Sequence, residues 1–143
     1  MVDVKNLMVG NWYHDDKYDA ITTLTPNFAY QHIMNTCSGI PVTEEILKCI
    51  GFKEDTMMGE PWPFWRYWDK DGRYKLDVYP DELYCNSDRK FGLHVDNDVC
   101  NTIGSGEFTY VHELQNLVRI ITGHSLPITK EMLYGNTDKD TLA

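Results

Sequence analysis

YVHELQNLVRIITG, residues Tyr110–Gly123, is the stretch on which the fold turns. Tyr110, Val111, Leu114, Leu117, Val118 and Ile121 recur at i, i+3, i+4 and i+7, the spacing of one apolar face of an α-helix. Gly123 stands where a helix end takes up a left-handed residue. The periodicity predicts the chain's longest helix over about 108–122, with Gly104-Ser105-Gly106 breaking the chain before it.

The same stretch begins like a zinc hydrolase motif. In H-E-x-x-H two imidazoles one turn apart hold the metal, and the intervening Glu is the general base. Here His112-Glu113 is followed by Asn116 where the second His should stand. His124 is beyond the expected helix end and cannot replace it. The plainer reading is a helix whose polar edge carries His112, Gln115 and Asn116, bonding backbone groups or a neighbouring segment. No metal, no cofactor and no catalytic group is expected.

Working outward, "IPVTEEILKCIGF" is the next strongest signal. Thr43 is an N-cap, Glu44 and Glu45 sit where the helix dipole favours negative charge, and Gly51 closes a short helix over about 43–51. Before it, "NWYHDDKYDAITTL" reads as strand, Asp15-Asp16 turn, strand, and "FAYQHIM" as a third strand. After it, "WPFWRYWDKDGRYKLDVYP" reads as a hairpin turning at Lys70-Asp71-Gly72. "ELYCNS", "FGLHV" and "VCNTI" are further short strands. "ITKEML" is a possible short helix with Thr129 as N-cap. The fold class expected is α+β: a small curved N-terminal β unit, a short helix, an antiparallel sheet and a packed C-terminal helix. Residues 1–124 form one α+β domain in this reading, β-rich over 7–36 and 62–104, and 125–143 a polar tail.

The chain has 143 residues and a formal net charge of -9. That charge repels phosphate backbones and anionic membrane surfaces, so neither non-specific nucleic-acid binding nor membrane attachment is expected. Cys37, Cys49, Cys85 and Cys100 form no C-x-x-C pair, which favours free thiols and the cytosol. "DKDG" and "DND" lack the ligand steps of a calcium loop and read as turns. No nucleophile elbow, P-loop or dinucleotide fingerprint occurs.

The hairpin holds the candidate binding residues Trp62, Trp65, Arg66, Tyr67, Trp68 and Arg73. Trp, Tyr and Arg are the types enriched at binding hot spots, and they can also stack a sugar or a base. Strand alternation puts Trp65 and Tyr67 on one face, and Phe64, Arg66 and Trp68 on the other. The alternative is a sheet covered on both sides, with Arg stacked on a ring.

"GIPVTEEILKCIGF" and "YVHELQNLVRIITGHSL", with "LMVGNW" near the start, together resemble a family of small proteins of gut bacteria of the Bacteroides group and their phages. That family's pattern has Gln where this chain has Glu113, and Trp where it has Ile46. The resemblance implies a phage or mobile-element accessory protein, acting in the bacterial cytoplasm or in a particle through a protein partner of host or phage. A small-ligand binder for a nucleotide or sugar is the second expectation. A hydrolase with a non-standard site is the third.

Overall fold

The computed structural model describes residues 7–24, 37–56, 63–69, 72–80, 90–99 and 101–134. Its first strands are β1 (Trp12–Asp15), β2 (Ala20–Thr23) and β3 (Cys37–Ser38). They form a three-stranded antiparallel sheet in the order β2-β1-β3. Asp15 organises the β1–β2 turn by accepting from the amides of Lys17 and Tyr18. "FAYQHIM", read as a third strand, lies outside the described residues.

Helix α1 (Glu44–Ile50) follows the capping signals closely. Thr43 Oγ1 accepts from Ile46 N at 3.2 Å, and Gly51 ends the helix at a φ of 121° that only glycine adopts without strain. Ile46, Leu47 and Ile50 turn inward, and Phe52 folds back beneath them.

Strands β4 (Lys53–Thr56), β5 (Pro63–Trp68), β6 (Tyr74–Pro80), β7 (Phe91–Asn97) and β8 (Thr102–Phe108) make an antiparallel meander in sequence order. Register pairs Trp65 with Val78 and Arg66 with Asp77. Trp65, Leu76, Val78, Leu93 and Val95 therefore share one face, and α2 (Val111–Thr122) packs on that side through Val111, Leu114 and Val118. The fold is α+β, as expected.

Two expectations change around β8. The helix starts at Val111 rather than Phe108, and Gly104-Ser105-Gly106 lies inside the strand rather than breaking the chain. A Cβ on Gly106 would stand 2.6 Å from Leu117 Cδ2, and one on Gly104 2.8 Å from Ile121 Cγ2. The glycines leave a shallow bed into which the helix settles, so a sequence that looks like a linker is an interlocking strand.

The stretch after α2 also departs from a polar tail. Leu126 and Leu133 are buried in the main core, with Ile128 and Met132 packed against it. Leu133 lies in a short helix, α3 (Lys130–Tyr134). Residues 135–143 are outside the described set, as is "ELYCNS". Among the described residues, no helix is long and apolar enough to cross a membrane.

Candidate functional site

His112 and Glu113 are both committed to structure. His112 is 1% exposed, and its ring lies parallel to that of Tyr110, with centroids 6.0 Å apart. Asn116 is buried as well, so these two side chains sit inside rather than on the polar edge expected of them. Glu113 Oε1 accepts from the amides of Thr109 and Tyr110, both at 3.0 Å, and so caps its own helix. Gln115 does what the sequence suggests for that edge. It accepts from Trp12 N at 2.9 Å and ties α2 to the small sheet. Among the described residues, no group of three or more His, Cys, Asp or Glu side chains is placed to hold a metal ion.

The hairpin is split by its own pleat. Trp65 is 2% exposed, and Tyr67 packs against the same core, its ring tilted against that of Phe52. Burial pushes the Tyr67 phenol up, and the charge of Asp69 adds to this. On the opposite face Trp68 is 55% exposed, while Arg73 is exposed beside the hairpin turn. Trp62 lies outside the described residues. The five described candidates therefore do not converge: Trp65 and Tyr67 are separated from Arg66 and Trp68 by the thickness of the sheet.

Arg66 is engaged by its neighbours. It donates through Nε to Asp77 Oδ1 at 2.9 Å and lies 3.6 Å from Asp55. Its guanidinium also covers the Phe64 ring, 5.0 Å from the centroid. Lys75 bridges Asp77 at 3.8 Å and Asp96 at 3.2 Å. His94 Nε2 completes the row, 2.9 Å from Thr102 Oγ1 and 3.2 Å from Asp96. Partial burial would push the Asp96 carboxyl up, but hydrogen bonds from Lys75 and Thr102 outweigh it and hold the carboxyl below its usual range. Asp77 is 3% exposed, and its negative charge is tolerated because Arg66 and Lys75 flank it. This ladder runs across strands β4 to β8. It was readable only after the pairing was known, because its members sit on five separate strands.

A groove of about 370 Å³ opens on the other edge of α2. Glu113, Asn116, Leu117 and Ile120 line it at i, i+3, i+4 and i+7, and Met8 and Glu107 close its sides. Ile120 is 74% exposed and Met8 is also exposed. Gly106 lies directly beneath Leu117. The sequence carried this second stripe openly, but it was overshadowed by the stronger core-facing one.

No protein-family model matches the chain, and no curated protein and no solved structure does.

Proposed function

We propose that this is a non-enzymatic accessory protein that works by binding a protein partner along the outer stripe of α2. The observation that carries the reading is Ile120. A large aliphatic side chain held out in water on the most regular helix, beside Leu117 and Met8, gives a rigid apolar strip. Glu107, which also pairs with Lys90 at 2.8 Å, and the capping Glu113 rim it, and the chain carries a net charge of -9. A complementary partner has an apolar side chain flanked by Lys or Arg. The ladder on the sheet argues in the same direction. Its charged groups are tied to one another rather than aimed into a shared cleft. The resemblance of the two helix motifs to proteins of gut Bacteroides and their phages supports reading the accessory role as that of a phage or mobile element, in the host cytoplasm or the particle.

Affinity capture from host lysate tests this with a matched pair of variants. A protein recovered by wild type and by Trp68→Ala, but lost with Ile120→Glu, supports the α2 surface. Loss with Trp68→Ala and retention with Ile120→Glu would sink it and return recognition to the hairpin. Both positions are exposed, so the melting temperature should stay within a few degrees of wild type for each.

A further inference from the structure

A second concavity forms where β5 leaves the sheet. Tyr67 is next to last in that strand, Asp69 follows it, and Leu76 crosses from β6. The chain leaving α2 comes over them with His124 and Leu126, and Val118 lies below. Together they enclose a cleft of about 280 Å³. Its walls are fixed: Leu76, Val118 and Leu126 are buried core residues, and the Tyr67 ring is held 5.1 Å from that of Phe52. Its mouth is polar. Asp69 Oδ1 accepts from Arg73 N at 3.3 Å, which anchors the carboxylate in the hairpin turn. His124 is set against the Tyr74 ring, with centroids 6.1 Å apart.

We infer that this cleft binds a small organic amine, its protonated nitrogen paired with Asp69 and its apolar body laid against Tyr67, Leu76 and Val118. Ligand pockets combine apolar walls with a few convergent polar groups, and those for drug-sized molecules begin at about 300 Å³. The volume here therefore suits a body of about one ring. The sign of the ligand charge follows from the carboxylate and from the chain's net charge of -9, which disfavour a phosphate or carboxylate compound. An aromatic wall adds to the preference, since a ring face attracts a cation. This site is independent of the partner groove. Val118 and Thr122 face the cleft, whereas Glu113, Asn116, Leu117 and Ile120 face the groove.

Amide shifts of the full-length, isotopically labelled protein test the inference, with phenethylamine, 2-phenylethanol and phenylacetate as probes at low salt. The amine should give saturable shifts at Asp69, His124 and Ser125. The alcohol should bind about tenfold more weakly, the difference expected for one charged hydrogen bond, and phenylacetate more weakly still. Asp69→Asn keeps an oxygen for the Arg73 amide and so keeps the turn, and it should reduce amine binding to the level of the alcohol. Ser125→Trp on the exposed rim should abolish the shifts for both probes without lowering the melting temperature. Equal binding of amine and alcohol, amine shifts that survive both substitutions, or no saturable shift at all would each overturn the site.

Discussion

In the five-stranded sheet Trp65, Leu76, Val78, Leu93 and Val95 join helices α1, α2 and α3 in one extended core. In the three-stranded sheet, among the described residues, Tyr13, Leu24 and Cys37 form the buried cluster. The small sheet also carries a set of polar contacts at its surface. His14 Nδ1 lies 2.7 Å from Asp16 and His14 Nε2 2.9 Å from Asp19, while Ser38 Oγ donates to Asp16 at 2.8 Å. The large sheet has its charged ladder too, but beneath it lies an extended buried core, whose contribution is insensitive to pH. The other leans on titratable contacts, which are not. Polar clamping lets a short sheet be defined without a large core, at the cost of a stability that follows the solution conditions.

The largest expected effect tests the first half of that contrast. Trp65→Ala should destabilise the protein by about 3–5 kcal/mol, the range for removing a large aromatic from a core. Chemical denaturation measures it, and a midpoint equal to wild type would show that the sheet does not depend on this burial. Asp77→Ala should cost less, about 1–3 kcal/mol. It takes away the closest partner of Arg66, which keeps Asp55, and the more distant partner of Lys75, which keeps Asp96. A double-mutant cycle with Arg66→Ala isolates their coupling, and additive losses would mean the ladder is decoration on an apolar sheet.

What the sequence made legible follows the same division. Periodicity and caps located α1 and α2, since Thr43, Gly51 and Gly123 act through neighbours in the chain. Strand alternation gave the correct faces for Trp65 and Arg66, because side-chain period does not depend on partners. It could not say that Arg66 would meet Asp77, eleven residues away, or that Lys75 would meet Asp96 across the next pair. Nor could local reading reveal that Gly104 and Gly106 face Ile121 and Leu117, since glycine between polar residues is also what a linker looks like. The cleft residues Asp69 and His124 come from two distant segments, and nothing local to either one links them.

A third change reverses sign. The Tyr13 hydroxyl is buried and has no hydrogen-bond partner among the described residues. Burial raises its pKa, and the nearby Cys37 and Asp15 add to the rise, so the phenol stays neutral. Tyr13→Phe removes an unsatisfied polar atom and keeps the ring. It should be neutral or stabilising by up to about 1 kcal/mol. A clear loss of stability would mean the hydroxyl is engaged after all, and the small sheet would then be more polar than its core suggests.

The smallest effect is the most informative about the small sheet. Partial burial of His14 lowers its pKa, but hydrogen bonds to Asp16 and Asp19, with their charges, outweigh this and leave it above the usual 6.5. A histidine whose folded pKa is raised adds stability that is fully present below its unfolded pKa and disappears as pH climbs through the folded value. Asp16 is shifted the other way, by its hydrogen bonds from His14 and Ser38, so its contribution holds above the usual 3.8 and is lost only in acid. Between these limits the clamp is complete. Wild type should therefore be more stable than His14→Gln at about pH 5, by under about 1 kcal/mol as for other exposed ion pairs. The difference should shrink as pH rises from there into alkaline solution, through the raised folded pKa, because the imidazole loses its charge on the way. Trp65→Ala should show the same loss across this range, since its cost contains no titrating group of this kind. A His14→Gln deficit that stayed constant from acid to alkaline solution would make the contact a neutral packing feature, and the contrast between the two sheets would reduce to one of size.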